Sequence, residues 1–500
     1  MTRPEAAKAE SALPAADPPP ATGLRGFGRG RPVSPFTLGS MRALDSPQQM
    51  QTVLDAAVAA GIRHVETAPA YGPAEAFLGQ ALQRLQARDA TSRAALVITS
   101  KLLPGLGVTE GREQLTAMLR RLGIRQLDNL AVHGLNRPEH LHWALRGEGR
   151  ELLAWAEGEG LVQQVGFSSH GATTLIEAAL ASGRFGFCSL HLHLFDPERL
   201  PLARAALAAG LGVMAISPAD KGGRLYDPPA ELLADCAPFH PLELAYRFLL
   251  DQGISTLTLG AAQPGDLIWA AALQAGPGRS GGGSRCSPAA SLPPSPAASP
   301  GFQARAIAFP PVAGPARPSP SAASDDATAA GTVDSATATA AATTAAAAAA
   351  TAAAAGGEPS ETTPRPEAAT ARSETSQAEA TWLSPAHREA LQRLAAAARQ
   401  RLGADQCGQC RQCLPCPQQV PIPALLRLRN LALGHGMQAF ASERYGLIGR
   451  AGHWWEQVDA GACERCGDCL PRCPLQLPIP DLLADTHQRL AAPPRRRLWG

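Results

Sequence analysis

Two cysteine runs near the C-terminus hold the residues of this chain whose type and spacing are best suited to chemistry. Cys463 to Pro474 reads CERCGDCLPRCP, a C-x2-C-x2-C-x3-C-P spacing, and Cys407 to Pro417 reads CGQCRQCLPCP, in which two residues instead of three separate Cys413 from Cys416. Thiolates this close in sequence wrap one loop around a cubane iron–sulfur cluster, and the last cysteine of such a run, ahead of a proline, ligates a different cluster. Zinc is the other reading, because C-x2-C pairs also serve as zinc ligands. Structural zinc sites take four ligands as two pairs, not two four-cysteine runs ending in Cys-Pro, so the spacing favours iron–sulfur. Cys188, Cys236 and Cys286 stand alone, and nothing suggests a secreted, disulfide-forming protein.

The runs are halves of an internal repeat. CLP-CPQQVPIPALL (Cys413 to Leu426) matches CLPRCPLQLPIPDLL (Cys469 to Leu483), with Arg472 inserted in the second copy. Each half reads as a cysteine loop, a Pro-Ile-Pro turn and a helix. Between them, Leu425, Leu428 and Leu431, then Phe440, Tyr445 and Leu447, keep helical apolar spacing. The layout resembles the two-cluster bacterial-type ferredoxins in a mainly α-helical setting. The resemblance implies two 4Fe-4S clusters, one at the least, with crossed ligands: Cys407, Cys410, Cys413 and Cys473 on one, Cys463, Cys466, Cys469 and Cys416 on the other.

A second group of polar residues is spread through the first half of the chain, and the elements between them explain their spacing. Eight β-type runs alternate with helical patterns: residues 35–40, 62–67, 95–100, 129–134, 162–168, 187–193, 212–217 and 255–260. The first helix is punctuated by Ser46-Pro47 as cap and first turn, by an apolar stripe of Met50, Val53, Leu54, Ala57 and Val58, and by Gly61 at its end. Eight strand–helix units are the arithmetic of a (β/α)8 TIM barrel in the α/β class. Periodicity alone leaves a doubly wound sheet as a competitor, but the polar residues at strand ends favour the barrel, whose catalytic groups sit at C-terminal strand tips.

Those tips read Glu66-Thr67-Ala68 with Tyr71 and Gly72 after the second strand, Lys101 after the third, His133 after the fourth and Ser168-Ser169-His170 after the fifth. From about Gly28 to Asp266 this resembles the aldo/keto reductase family, whose motif is Asp-Thr-Ala, a Tyr a few residues on, a Lys and a His in that order. Glu66 stands where the family has Asp, and the extra methylene moves the charge by about an ångström, an error of a size that matters to catalysis. Reducing a carbonyl needs a hydride on carbon and a proton on oxygen. A tyrosine hydroxyl, with a reference pKa of about 10, is a poor acid at neutral pH; a neighbouring ammonium lowers that value and an imidazole orients the proton. The resemblance therefore implies Tyr71 as proton donor, Lys101 as its tuner, Glu66 as the partner of Lys101, and His133 as hydrogen-bond donor to the substrate oxygen.

The same resemblance implies NADP(H), with NADH as the alternative, laid across the barrel mouth without a Rossmann domain. Ser168 and Ser169 fall where the nicotinamide carboxamide is held, and Ser217, Gly260 and Gln263 close the seventh and eighth strands, where barrels place phosphate sites. Ala261, Ala262 and Gln263 replace the family's serine and basic residues, which weakens the preference for NADPH. Phe195 and Tyr226 are candidates for stacking on nicotinamide or lining the substrate pocket. His170, His191 and His193 invite a metal-site reading, but His191 and His193 share one strand face and are read as pocket lining or core.

At 500 residues and a formal net charge of +2, the chain has room for two or three domains and no global field for nucleic acid or membrane. No run is long and apolar enough to span a bilayer, and the N-terminus lacks an apolar signal core, so a cytoplasmic protein is expected. The expected layout is a disordered tail over 1–24, a barrel over 25–273, a low-complexity Ala/Pro/Gly/Thr linker over 274–381, a 4Fe-4S ferredoxin-type domain over 382–490 and a basic tail over 491–500, with the linker leaving the second domain's position unfixed. Ser384-Pro385 marks a helix start, either closing the barrel or opening the second domain. The expected partners are a small carbonyl or alcohol substrate and a redox partner protein at the cysteine module. The competing reading is an iron–sulfur electron-transfer or redox-sensing protein on a catalytically weakened barrel.

Overall fold

The computed structural model describes residues 23–219, 223–275, 382–450 and 456–491. The tail up to residue 22, the linker over 276–381 with Cys286, and the basic tail from residue 492 lie outside the described residues. Eight parallel strands, β1 (Phe36–Gly39), β2 (His64–Glu66), β3 (Val97–Leu102), β4 (Leu127–Val132), β5 (Val162–Ser169), β6 (Phe187–His191), β7 (Gly212–Ile216) and β8 (Thr256–Gly260), pair in sequence order, and β8 returns to β1 to close the barrel. The strands are buried on both faces because helices cover the outside. Each helix answers a sequence signal. In Pro47–Ala59, Ser46 accepts from Gln49 N–H at 3.1 Å, and Met50, Val53, Leu54 and Ala57 are buried.

The barrel interior contains a layer that is polar rather than branched aliphatic. Thr37 Oγ1 hydrogen-bonds with both His64 Nδ1 and Thr256 Oγ1 at 2.7 Å, and His64 Nε2 meets Thr99 Oγ1 at 2.7 Å. Asn129 Nδ2 donates to Thr99 Oγ1 at 3.0 Å, and Gln164 Nε2 donates to Asn129 Oδ1 at 2.7 Å. Six strands are thereby linked side chain to side chain across a fully buried layer, which is tolerable only because each group finds a partner. Beneath it, residues the sequence assigned to the start of the barrel form its floor. Arg25 and Val33 pair antiparallel, and Phe27 packs against Phe187 at a ring distance of 5.0 Å. Gly28 at the turn has φ +60°, and a Cβ there would lie 1.9 Å from Gly186 O.

The region expected as a second domain is helical, with Pro385–Leu402, Ile422–Gly434, Gln438–Tyr445 and Ile479–Leu490, and it falls in one compact unit with the barrel. The Pro385–Leu402 helix settles both options at once, because it packs on Ala230–Cys236 of the barrel and on Ile422–Gly434. Contrary to the expectation of an unfixed position, the described contacts tie this domain to the barrel. Trp382 and Leu383 N–H donate to Asp251 Oδ1 at 3.0 and 3.2 Å, Arg401 forks onto Asp235, and Arg224 reaches Glu443 at 2.7 Å. Phe239 stacks on His387 with ring centroids 4.0 Å apart. No described helix is long and apolar enough to cross a membrane.

Burial of His64 lowers its pKa from 6.5 to about 3. The unfolded chain therefore takes up a proton near pH 6.5 that the native state refuses until about 3. Stability should fall across that window by about 1.4 kcal/mol per pH unit from this group. Urea midpoints of wild type and His64→Gln, measured between pH 7 and pH 4, should show a shallower slope in the variant; equal slopes would remove His64 as the cause.

Candidate functional site

Because the strands are parallel and the sheet is closed, their C-terminal ends share one rim. Glu66 ends β2, Lys101 lies one residue from the end of β3, and His133 follows β4. Tyr71 ends the short 3-10 turn Pro69–Tyr71, after which Gly72 at φ +62° turns the chain into the Ala74–Arg88 helix. That helix is anchored by buried Glu75, which accepts from Ser100 Oγ at 2.7 Å and from Arg121 at 2.8 and 2.6 Å. Glu75 thus fastens the Tyr71 turn to β3 and to the Val108–Leu122 helix.

The four rim residues meet. Lys101 Nζ donates to Tyr71 Oη at 2.5 Å and is paired with Glu66, the two side chains 3% and 5% exposed. Tyr71 Oη also lies 3.2 Å from Glu66 Oε1. The Tyr71 and His133 rings stand edge to face at 5.9 Å and 89°. Glu66 thus reaches both Lys101 and Tyr71. Burial lowers the Lys101 ammonium from 10.5 to about 7, while the carboxylate in contact with it acts in the opposite sense. Burial, and then the Lys101 charge, holds His133 well below 6.5, so its imidazole is neutral. Tyr71 departs from expectation: burial raises its pKa above 10. The phenol is therefore fully protonated at neutral pH.

Around the rim, the cofactor candidates differ in what they have left to offer. Ser169 Oγ donates to Leu135 O at 2.6 Å and accepts from Gly171 N–H at 3.0 Å, so it ties the β4 and β5 loops together. Ser168 Oγ accepts from Gly134 N–H at 3.0 Å. Ser217 follows β7 in the left-handed region at φ +52°. At β8, the Ala262 and Gln263 N–H groups both donate to Asp266 Oδ2, at 2.8 and 3.2 Å, so those donors are already engaged. The cation at this tip comes from elsewhere: a Cβ on Gly260 would meet Arg42 Cδ at 2.9 Å. Sequence reasoning missed Arg42, although a basic residue just after β1 was its signal, since β1 pairs with β8. It also missed Asn136, whose Oδ1 accepts from His170 N–H at 2.7 Å while the buried Nδ2 has no hydrogen-bond partner among the described residues.

Phe195 lies against His435 of the helical region, with ring centroids 4.6 Å apart and tilted at 51°. His170 and His191 bring their Nε2 atoms to 3.4 Å, with His191 and His193 ring centroids 5.7 Å apart. Among the described residues no three His, Cys, Asp or Glu side chains are grouped to hold a metal ion.

The cysteines line two separate cavities. Cys407, Cys410, Cys413 and Cys473 line one small cavity of about 20 Å³ together with Ile422, Leu426, Leu477 and Ile479; Cys416, Cys463, Cys466 and Cys469 line another of about 20 Å³. The repeat is preserved in the backbone. Gln409, Arg411 and Gln419 have positive φ, and so do their counterparts Arg465, Gly467 and Gln476. Burial, and then the neighbouring Cys407 thiol, pushes Cys413 up to about 11, and burial followed by Cys463, Cys466 and Cys416 raises Cys469. Four thiolates in such a place repel one another unless cations sit among them. Among the described residues no three of these thiols are grouped to hold a metal ion; what fits an iron–sulfur group is the donor set alone, four thiols to a cavity with one drawn from the other run.

The Aldo/keto reductase family model matches residues 36–231, a span holding all four rim residues. No curated protein sequence matches the chain. Among solved structures, a Pseudomonas aeruginosa protein described as an aldo-keto reductase is 23% identical and covers 50% of this chain and 94% of its own, with a TM-score of 0.41. An aldo-keto reductase of Bacillus halodurans in its holo form is 19% identical, covers 50% of this chain and 90% of its own, and has a TM-score of 0.41. The Bombyx mori aldo-keto reductase in complex with NADP is 21% identical, covers 52% and 88%, and has a TM-score of 0.42.

Removing one member of the buried Glu66–Lys101 pair strands the other. Lys101→Met should cost about 3–5 kcal/mol, and Lys101→Met with Glu66→Gln should cost clearly less. Urea unfolding of the three proteins reads this directly, and a double variant as unstable as the single would show that the pair carries no such penalty.

Proposed function

We propose that this chain is an oxidoreductase whose barrel reduces a carbonyl to an alcohol with NADP(H), and whose helical domain holds two 4Fe-4S clusters. The Tyr71–Lys101–Glu66–His133 constellation at one rim carries the first part. Bound nicotinamide supplies the hydride that adds to the carbonyl carbon. Tyr71 gives its proton to the carbonyl oxygen as that oxygen becomes an alkoxide. An alkoxide is a base comparable with hydroxide, whose conjugate acid has a pKa of about 15.7, so even a phenol with a raised pKa transfers its proton downhill. Lys101 donates to the phenolate left behind, and Glu66 keeps the ammonium charged while it does so. Neutral His133 presents an N–H to the substrate oxygen. Ser168 offers its hydroxyl proton to the carboxamide, and the Arg42 guanidinium at the β8 tip favours a phosphate there, which restores a basis for NADPH that the β8 loop itself lacks.

In the helical domain, Cys407, Cys410, Cys413 and Cys473 would hold one cluster and Cys416, Cys463, Cys466 and Cys469 the other. The sorting of the eight thiols into two groups of four, each with one cysteine drawn from the other run, supports this reading. Hydride carries two electrons and each cluster one, so direct exchange between the two halves is not part of the proposal.

Tyr71→Phe should lower kcat with an aldehyde panel by roughly 10²- to 10⁴-fold while the NADPH dissociation constant moves little; turnover like wild type would sink the role given to Tyr71. Iron and acid-labile sulfide in anaerobically purified protein should approach eight of each per chain, two cubanes' worth. About four of each would leave a single cluster, and zinc in their place would end the iron–sulfur reading.

A further inference from the structure

We propose that the first thiol site and the cofactor-holding tip of β5 form one coupled unit, joined through Arg411, Glu198 and Arg199; this rests on the cofactor and cluster readings above. Arg411 lies between Cys410 and Cys413 with φ +64°, so the thiol loop itself determines where its side chain starts. Its guanidinium pairs with Glu198, in the short 3-10 turn Pro197–Arg199 that follows β6. The next residue, Arg199, reaches the other way. Its Nη2 donates to the carbonyl oxygens of His170 and Gly171, both at 3.1 Å, and its Nη1 lies 3.5 Å from Ser169 O. The turn after β6 is thus held from one side by the thiol loop and from the other grips the end of β5, where Ser168 and Ser169 sit.

A second strut runs beside the first. Arg427 Nε lies 3.6 Å from Asp196 Oδ2, and on the same Ile422–Gly434 helix Asn430 Nδ2 donates to Cys407 O at 2.8 Å. Both acids of the β6 loop therefore face arginines that belong to, or are braced by, the first cysteine run. None of these contacts gathers thiols or closes the barrel, and their common effect is to fix the β6 loop. Filling a thiol site orders the loop that carries its ligands. Order passed through Arg411 to the β6 turn reaches the β5 tip, and by linkage a cofactor held at that tip returns the same free energy to the thiol loop. Arg411, Glu198 and Arg199 are positioning residues; none is placed against the reacting atoms.

The test uses the full-length protein with iron and sulfide restored, comparing wild type, Glu198→Gln, Arg411→Gln and the double variant. Two quantities are read: NADPH affinity by nicotinamide fluorescence, and the rate at which chelator bleaches the cluster absorbance. Each single variant should keep its iron, weaken NADPH binding roughly tenfold, a size usual for coupled sites, and bleach faster; the double variant should be no worse than either single. Faster bleaching in Glu198→Gln is the decisive signature, because that substitution lies in the barrel and touches no thiol loop residue but Arg411. It also stands should Arg411→Gln fail to fold. Unchanged bleaching in Glu198→Gln overturns the coupling, as does NADPH affinity unaltered in both single variants. If wild type takes up no NADPH, the cofactor reading fails by itself, and the bleaching rates still decide whether the β6 turn and the thiol site are joined.

Discussion

A parallel sheet has two edges to satisfy, and here both are satisfied by pairing β8 with β1. Everything else about the barrel follows from that closure. With all eight strands running the same way, Glu66, Lys101, His133, Ser168 and Gly260 are delivered to one rim although they are scattered over nearly two hundred residues of sequence. Closure also makes β8 a neighbour of β1, which is why Arg42 lies across Gly260. The floor is sealed at the opposite end by Phe27 and its hairpin.

Within this frame the rim depends on one buried ion pair. An ammonium as deeply buried as Lys101 is held only by a partner, and Glu66 is that partner while also touching Tyr71. The arrangement keeps three groups in distinct protonation states: a protonated phenol, a neutral imidazole and a paired ammonium. The polar layer below, from Thr256 through His64 to Gln164, spends stability that branched aliphatic residues would have supplied, and recovers it through complete hydrogen bonding.

The helical domain is a duplicated unit whose halves share backbone as well as sequence: the left-handed positions of the first loop recur in the second, and each Cys-Pro turn leads into a helix at Ile422 or Ile479. Exchange of the last cysteine between halves makes neither cavity complete without the other run. The first loop reaches the barrel through Arg411 and the Ile422–Gly434 helix through Arg427, so the first thiol cavity is held against the β6 loop by two ion pairs.

Much of this was legible in the sequence because it is local. The eight strand positions, the Ser46 cap and the cysteine spacings are each decided by contacts within a few residues, and the order Glu66, Tyr71, Lys101, His133 signalled the rim because strand tips recur at a regular interval. What tertiary structure decided was burial and the contacts between distant segments. Burial raises Tyr71 when a neighbouring ammonium alone would lower it, and turns His64 into a permanently neutral hydrogen-bond bridge. Distant segments supply Arg42 to the β8 tip, commit Ser169 and Phe195 to neighbours, and dock the helical domain through Asp235, Asp251 and Glu198. No spacing encodes these, because desolvation and cross-chain contact are properties of the closed fold and not of any stretch of it.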